Sequence, residues 1–355
     1  MKKIVLTGGG TAGHVTPNIE LVPRLKELGY EVHYIGTHKG MERELIEAIN
    51  IPYHPISSGK LRRYFDLKNF TDPFKVLKGY GDSYRILKKI KPDVVFSKGG
   101  FVAAPVVAAA SQLNIPAILH ESDMTPGLAN KLCGRFATKF CCNFPETLNH
   151  LPKDKAVHTG TPIRQELKEG SKEKGLEFTG FNTEKPIMLI MGGSLGAVKV
   201  NDAIRTVLDD LLEDFQIIHL CGKDKVSEAH KNIKGYLQFE FISAELPDLL
   251  ACSDLVVSRA GANAISEFLA LRIPNVLIPL SKEASRGDQI LNAKSFAKQG
   301  FSAMIEEEDI TPKALLALIR HTYEDRAEYI SNMENSNSAD PIEVIIEIIN
   351  ELTEK

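Results

Sequence analysis

The sequence lacks several features that mark whole classes of protein. No run of about 18 apolar residues occurs, so we expect no membrane-spanning helix. No Gly-Lys-Ser/Thr follows a glycine-rich loop, so the phosphate-binding loop of ATP hydrolases is missing. Neither an Asp-x-Asp pair nor a histidine–carboxylate cluster with metal-ligand spacing is present. We therefore expect no metal ion and no other cofactor.

Cysteine is scarce, and the few cysteines do not form a recognisable framework. They are odd in number and none has the spacing of a zinc site. They are predicted to be buried thiols in a reducing cytosol: Cys133, Cys141, Cys142, Cys221 and Cys252. A glycine loop begins at residue 8, so we expect no secretory signal before it.

The composition is that of a soluble globular protein, with 43% hydrophobic and 25% charged residues in a chain of 355. That length is too great for one ordinary core and predicts two domains. The net charge of −3 argues against a dedicated nucleic-acid binder.

Short apolar runs alternate with helical patterns along the whole chain. Strands are predicted at residues 4–7, 31–36, 94–97, 117–120, 186–191, 216–220, 237–241, 255–257 and 275–279. Such alternation predicts an α/β protein with parallel, doubly wound sheets, whose ligands collect at the carboxyl ends of the strands.

The domain boundary is predicted near Pro162, where the pattern weakens, with residues 165–184 as a helix plus a surface loop. The domains are then residues 1–162 and 163–340. An amphipathic helix begins at Pro341, and we expect the tail 341–355 to pack back on the first domain. A kink or a later start of the first helix is expected at Pro23.

The first glycine loop, residues 8–14, satisfies G-x-G-x-x-G literally. A dinucleotide site also needs an acidic residue at the end of the second strand, and that strand ends Tyr-Ile-Gly-Thr. The loop is therefore interpreted as a place where phosphate or sugar approaches the backbone closely. His14, at the helix start, is either a cap or a group for proton transfer, because the ordinary pKa of histidine is ~6.5.

The stretch from residue 255 to 267 places a small-residue loop between a strand and a helix. Backbone N–H groups and the helix dipole make such a loop suitable for phosphate. Arg259 adds donors, and the Glu267 carboxylate suits a sugar diol, although the two side chains could equally form a surface ion pair. With a second glycine loop at 192–196, these features indicate one nucleotide-linked ligand. An acidic run at 306–309 is interpreted as a solvated helix start.

Several motifs resemble those of the MurG family, in that family's order and over nearly the whole chain. They lie at residues 8–14, 97–101, 120–130, 160–164, 192–196, 258–267 and 288–289. The resemblance implies the GT-B fold, in which two Rossmann-like domains face a cleft. It also implies inverting, metal-independent transfer of N-acetylglucosamine from its UDP ester. The acceptor would be the 4-hydroxyl of the muramoyl sugar of undecaprenyl-linked lipid I, and the product lipid II for peptidoglycan.

The resemblance also assigns roles to individual residues. Donor binding would fall mainly to the second domain, with Thr11, Ala12 and Gly13 facing the donor from the first. The implied UDP-N-acetylglucosamine contacts are Thr11, Ala12, Gly13, Arg164, Ser194, Ile242, Ala262, Asn263, Ala264, Glu267 and Gln289. Ser194 would hold the diphosphate, Ile242 would present backbone to uracil, and Glu267 would hold the ribose hydroxyls.

The catalytic base is left open among three residues. His14 would lie near the reacting carbon and ranks first; Asp123 and Glu121 follow at about the same level. Many relatives have His-Glu-Gln-Asn where this chain has His-Glu-Ser-Asp at 120–123, so an amide contact cannot be assigned to Asp123. The alternative is a charged turn before a helix. Asp288 also differs from some relatives, which makes Gln289 the safer assignment.

Residues 57–91 carry ten Lys or Arg against three Asp, a local charge of +7 in a chain of net −3, with aromatic residues interleaved, among them Tyr64, Phe65, Phe70, Phe74 and Tyr80. We expect this segment to dock the first domain on the anionic inner leaflet, at the cytoplasmic face of the membrane. A solvated helix face is the alternative. Other cell-wall synthesis proteins stay open as partners, and nucleic acid is not expected.

Three other functions are alternatives to the glycosylation of lipid I. A diacylglycerol glucosyltransferase of related fold would differ in its acceptor. A silent nucleotide-sugar-binding protein would not need His14, Glu267 and Gln289 intact. A sugar epimerase would need its own catalytic carboxylates.

Overall fold

A computed structural model describes residues 1–59, 72–193, 196–282, 287–336 and 339–354. The chain forms two compact units, one of Met1–Ile163 with Ser338–Lys355, the other of Arg164–Asn337. Within the described ranges no helix has both the length and the apolar character to cross a bilayer.

Unit 1 contains a seven-stranded parallel sheet in the order β3-β2-β1-β4-β5-β6-β7. The strands are β1 (Lys3–Thr7), β2 (Glu31–Thr37), β3 (Tyr53–Ile56), β4 (Val94–Ser97), β5 (Ala117–Glu121), β6 (Lys139–Cys142) and β7 (Ala156–His158). The helices between them are α1 (Thr16–Glu27), α2 (Met41–Ala48), α3 (Asp72–Ile90), α4 (Ala103–Gln112) and α5 (Leu128–Cys133). Helix α1 begins at Thr16 and continues through Pro23, so the expected later start is wrong.

Unit 2 contains a six-stranded parallel sheet in the order β10-β9-β8-β11-β12-β13. Its strands are β8 (Ile187–Met191), β9 (Gln216–Leu220), β10 (Tyr236–Phe239), β11 (Leu255–Ser258), β12 (Asn275–Leu277) and β13 (Ala303–Met304). Its helices are α6 (Lys172–Thr179), α7 (Val198–Thr206), α8 (Leu208–Asp214), α9 (Leu246–Cys252), α10 (Ala262–Leu271), α11 (Asp288–Lys298), α12 (Pro312–Glu324) and α13 (Arg326–Glu334). The predicted doubly wound α/β architecture is confirmed in both units.

The last helix, α14 (Pro341–Thr353), returns to unit 1. Its isoleucines are buried with residues of β1, β4 and α1 in one hydrophobic cluster. Two polar contacts fix its direction: Arg24 on α1 donates to Glu343, and the hydroxyl of Tyr30 donates to Asn350. This helix therefore covers one face of the first sheet.

The second face of that sheet is covered by α3 and α4, whose apolar side chains form a separate cluster with β4 and β5. All five cysteines are free and buried, as predicted. In unit 2 the main cluster joins α7, α8 and α12 to the central strands. Both sheets are thus packed on their faces, which leaves the loops at the strand ends to carry chemistry.

Candidate active site

The strand order places the candidate loops side by side within each unit. The order reverses between β1 and β4 in unit 1, and between β8 and β11 in unit 2. Loops that leave neighbouring parallel strands at such a point form a crevice, where doubly wound sheets bind ligands. The loops concerned include residues 8–15 and 98–102 in unit 1, and residues 192–193, 196–197 and 259–261 in unit 2.

The loop after β8 packs tightly on the loop after β9. Gly196 has a positive φ of 69°, and a Cβ there would lie 2.0 Å from the carbonyl oxygen of Cys221. Only glycine fits this approach. Ser194, the predicted diphosphate contact in the same loop, lies outside the described residues.

Arg259 does not pair with Glu267, so the ion pair considered for these two residues is wrong. Its Nη1 donates instead to the carbonyl oxygens of Ile278 and Pro279, at 3.1 Å each, and to Oε2 of Glu307 at 2.6 Å. Arg259, which follows β11, therefore holds its loop to the segment that follows β12.

Glu307, the charged partner of Arg259, could not be identified from local sequence patterns. Its side chain is only 3% exposed and also accepts from Lys199 of α7, so it is not part of a solvated helix start as predicted. Burial acts to raise the pKa of Glu307, but the hydrogen bonds from Lys199 and Arg259 outweigh it and lower the pKa. One carboxylate thus ties together α7, the loop after β11 and the segment after β13.

Arg164 and Glu267, both predicted donor contacts, form a two-point ion pair. The guanidinium donates from Nε to Oε1 at 2.9 Å and from Nη2 to Oε2 at 3.1 Å. The Glu267 side chain is 7% exposed, and the Arg164 side chain is 27% exposed. The pair fixes the orientation of the carboxylate, whose oxygens each retain a further lone pair for a ligand hydroxyl.

Helix α10 begins at Ala262, two residues before the start near Ala264 that the sequence pattern predicts. Gly261 caps it in an extended conformation, and the backbone N–H of Ile265 donates to the Gly261 carbonyl. The amides of Ala262, Asn263 and Ala264 form the first turn, where the helix dipole favours an anion.

Two further predicted donor contacts, Ile242 and Gln289, lie in unit 2. Ile242 follows β10 and its residue is buried, which suits a contact made by backbone. Gln289, in the first turn of α11, accepts a hydrogen bond from the backbone N–H of Leu280 at 3.0 Å. Its amide group is therefore oriented by the segment that follows β12.

In unit 1, the predicted contacts Thr11, Ala12 and Gly13 form a short turn that ends at His14. Residues Ala12–His14 make one turn of 3-10 helix. The hydroxyl of Thr11 lies 3.1 Å from Nδ1 of His14. This contact orients the imidazole, because it holds the ring at Nδ1.

Two residues that sequence patterns did not single out support this loop from beneath. The amide of Asn18 donates to the carbonyl oxygens of Thr7 and His14, and the hydroxyl of Tyr34 donates to that of Gly8. Both side chains are buried. The sequence signal for this role is an asparagine about one helical turn after a glycine loop.

The loop after β4 closes against the glycine loop. Gly100 has a φ of 81°, and a Cβ there would lie 2.3 Å from the carbonyl oxygen of Gly9. The backbone N–H of Lys98 also donates to the carbonyl of Thr7. The two motifs at residues 8–14 and 97–101 are therefore in direct contact in unit 1.

Glu121, one of the three candidate bases, has both carboxylate oxygens engaged. Oε1 accepts from the backbone N–H groups of Ser122 and Asp123, and Oε2 accepts from Gly127 and from the side chain of Asn130. Burial raises the pKa of Glu121, while the hydrogen bonds from Asn130 and Gly127 act in the opposite direction. This arrangement organises the turn between β5 and α5, and Asp123 lies on that turn.

Among the described residues, no group of three or more His, Cys, Asp or Glu side chains lies close enough together to hold a metal ion.

The basic segment predicted to meet a membrane is described only in part. Residues 60–71, which include Arg62 and Arg63, lie outside the described residues. On α3, Phe74 is 76% and Leu77 is 69% exposed, three positions apart on one helical face. Lys75 and Lys78 are exposed beside them, so apolar and basic side chains share this face.

Family models cover most of the chain. The glycosyltransferase family 28 N-terminal domain matches residues 4–142, and the glycosyltransferase family 28 C-terminal domain matches residues 187–347.

Curated relatives match over almost their full length. A protein of Lachnoclostridium phytofermentans is 62% identical over 352 residues, 99% of both chains. One from Clostridium botulinum is 58% identical over 353 residues, 99% of this chain and 100% of the relative. Each is named UDP-N-acetylglucosamine–N-acetylmuramyl-(pentapeptide) pyrophosphoryl-undecaprenol N-acetylglucosamine transferase.

Solved structures show the same architecture. MurG of Acinetobacter baumannii superposes with a TM-score of 0.78 at 27% identity, covering 99% of this chain and 100% of that one. The glycotransferase of kitacinnamycin superposes with a TM-score of 0.77 at 16% identity, covering 99% and 98%. The second likeness bears on the fold alone.

Proposed function

This chain belongs to glycosyltransferase family 28, and from that premise we propose that it transfers N-acetylglucosamine from UDP-N-acetylglucosamine to lipid I. The observation that carries the proposal is the match of 62% identity over 99% of the chain to a relative named for that transfer. The bond formed joins the anomeric carbon to the 4-hydroxyl oxygen of the muramoyl sugar, and the product is lipid II of the peptidoglycan pathway.

The donor is held mainly by unit 2 in this proposal. The amides of Ala262, Asn263 and Ala264 face the phosphates and sugar, with Ser194 on the diphosphate. Glu267 accepts from the ribose hydroxyls, in an orientation set by Arg164. The backbone of Ile242 contacts uracil, and Gln289 contacts hydroxyls of the transferred sugar.

Unit 1 supplies the acceptor side. Thr11, Ala12 and Gly13 face the donor, and His14 stands next to the reacting carbon. His14 Nε2 takes the proton of the acceptor hydroxyl when Nδ1–H donates to Thr11, because that tautomer leaves a lone pair on Nε2. Asp123 is the second candidate for the base. Glu121, whose oxygens already accept four hydrogen bonds, is better suited to positioning Asp123 than to proton transfer.

The reaction is a single displacement with inversion at the anomeric carbon. The acceptor oxygen forms its bond to that carbon while the bond to the UDP oxygen breaks, and UDP leaves with the electron pair. The growing phosphate charge is met by helix-end amides, Ser194 and arginine side chains, without a metal ion. Each helix end contributes only ~0.3–2 kcal/mol, so several must converge to approach the ~8 kcal/mol or more that enzymes supply.

The acceptor is a membrane lipid, and the exposed face of α3 suits contact with its bilayer. Phe74 and Leu77 can enter the interface while Lys75 and Lys78 meet anionic headgroups. We assign this docking to residues 57–91 of the domain 1–162, on which the tail 341–355 packs. The donor falls to residues 163–340. The enzyme then works as a peripheral protein on the cytoplasmic face of the membrane.

The decisive test is a radiolabelled transfer assay with synthetic lipid I and UDP-N-acetylglucosamine, run with EDTA in fresh detergent. Lipid II should form at a rate that EDTA does not change. A parallel arm with diacylglycerol tests the acceptor, and a binding arm with UDP tests for a silent binder. UDP binding without any product would contradict the proposal, and so would transfer to diacylglycerol alone.

A further inference from the structure

A buried lysine lies at the switch point of unit 1, immediately after β4. Lys98 is 1% exposed although its side chain ends in an amine. Its Nζ lies 2.8 Å from Nδ1 of His120 and donates to the hydroxyl of Thr161 at 3.0 Å. Amines are seldom buried unless polar partners hold them.

His120 extends this contact to the backbone that leaves unit 1. Its Nε2 lies 2.7 Å from the carbonyl oxygen of Gly160, which can only accept, so Nε2 carries the proton. Nδ1 is then unprotonated and accepts from Lys98. Burial lowers the pKa of His120 well below its ordinary value, in agreement with a neutral ring.

Gly160 in turn packs on the start of α14. A Cβ at Gly160 would lie 3.0 Å from Cγ of Pro341. The chain passes out of unit 1 after Ile163, and unit 1 resumes shortly before Pro341. The segment that leaves unit 1 and the segment that returns to it therefore meet at Gly160, within unit 1. The carbonyl oxygen of Gly160 is the one that His120 contacts.

The other side of Lys98 is fixed to the glycine loops. Its backbone N–H donates to Thr7, and Gly100 stands against the carbonyl of Gly9. We propose that Lys98 is a positioning residue for the transfer reaction: its buried contacts with His120 and Thr161 fix the loop 98–101, which itself packs against the loop 8–14. The inference rests on the proposed function only for its effect on turnover; the packing role stands apart from it.

The charged surroundings of Lys98 come from several strands. Burial lowers the pKa of Lys98 to about 7, while Glu121, Asp123 and Cys141 act to raise it. The nearby His158 also acts to lower the pKa of His120, because it disfavours the charged form of that ring. Both forms of the amine are therefore populated near neutral pH, and either form can donate to His120 and Thr161.

The test compares Lys98→Met with Thr161→Val, which removes one acceptor at nearly constant shape. Lys153→Met is the control, because Lys153 is an exposed lysine of the same unit. Amide hydrogen exchange is followed by mass spectrometry in peptides that span residues 96–102 and 156–163. Exchange should speed up in both peptides for Lys98→Met, less so for Thr161→Val, and not for the control.

Kinetics then separate positioning from simple loss of folded protein. In Lys98→Met, kcat for transfer should fall about 10- to 100-fold, the loss expected when reacting groups are misplaced by about 1 Å. The dissociation constant for UDP should stay within about twofold, because those contacts lie in unit 2. A smaller folded fraction alone would lower the number of UDP sites per chain by the same factor as kcat, so kcat is calculated per UDP-binding site counted in the same titration.

The outcomes are distinct. Unchanged exchange at residues 96–102 in both variants overturns the inference, and Thr161→Val decides it if Lys98→Met does not fold. Faster exchange with unchanged kcat also overturns the positioning role. If the wild type makes no lipid II, the proposed function fails, while hydrogen exchange still decides what Lys98 holds.

Discussion

Arg164 and Glu267, 103 positions apart in the chain, meet through two parallel hydrogen bonds of 2.9 and 3.1 Å. The pair joins the segment where unit 2 begins to the first turns of α10. It explains how one carboxylate at a helix start can hold a defined orientation toward a sugar diol.

Replacing Glu267 by Gln should weaken UDP binding by about tenfold or more. The neutral amide cannot accept from Arg164 at two atoms and from ribose as well. Hydrogen bonds to charged groups contribute ~1.5–3 kcal/mol, and 1.4 kcal/mol corresponds to a factor of ten. Titration calorimetry with UDP measures the change, with Glu177→Gln, an exposed glutamate of unit 2, as the control. An unaltered dissociation constant would remove Glu267 from the donor site.

Replacing Glu307 by Gln should destabilise unit 2 by about 3 kcal/mol, because Arg259 then loses its buried charged partner. Urea unfolding at pH 7 measures the free energy. The neighbouring Glu308→Gln is the matched control, since Glu308 is exposed. Similar losses in the two variants would speak against the bracing role.

The same pair predicts a pH dependence. The pKa of Glu307 is lowered from its ordinary value of 4.5, so its stabilising contribution is complete above that value and is lost as the pH falls through the folded-state pKa. The difference in unfolding free energy between wild type and Glu307→Gln should therefore shrink below pH 4.5. A difference that stays constant down to acid unfolding would contradict this assignment.

Replacing His14 by Ala should lower kcat by about 10²- to 10⁴-fold, the usual contribution of a positioned base. The dissociation constant for UDP should change little. Asp123→Asn serves as the comparison, because Asp123 is the other candidate base. If Asp123→Asn loses kcat while His14→Ala keeps near-normal turnover, the two roles are exchanged. Thr11→Val should cause a smaller loss, since it removes only the contact at Nδ1.

Reversing the charges of Lys75 and Lys78 to Glu should weaken binding to anionic vesicles by at least about tenfold, since each basic residue contributes about 1 kcal/mol. Sedimentation with phosphatidylglycerol vesicles measures binding, and neutral vesicles give the baseline. The matched control reverses Lys223 and Lys234, which are exposed on unit 2. Equal binding by both double variants would make the face of α3 an ordinary solvated surface.

Sequence patterns predicted the central strands well because those strands are continuous apolar runs. The bounds of β4 and β9 agree with the prediction, and β5 is one residue longer. The patterns missed β3, β7 and β13, which lie at sheet edges, and also the interior strand β6, which lies between β5 and β7. An edge strand pairs on one side only and is partly exposed, so it has little apolar signal.

The polar contacts of the site were far less predictable. The loops and the helix start at α10 follow from local turn and cap patterns. The partner of Arg259 lies 48 positions away, and Lys98 finds its acceptors 22 and 63 positions away. Nothing in a local window favours one distant carboxylate or hydroxyl over another. Such pairs are set by the sheet order, which brings the strand ends together.

Helix α14 gives the chain an unusual order of completion. Its isoleucines fill one face of the sheet of unit 1, yet they follow the whole of unit 2 in the sequence. During synthesis, that apolar face therefore stays uncovered until about 170 further residues have been added. Unit 2, which is continuous in sequence, can reach its final packing first. Most of unit 1 is therefore synthesised before unit 2 but completes its folding after it. The reason is that the folding of unit 1 depends on α14, which is synthesised after unit 2.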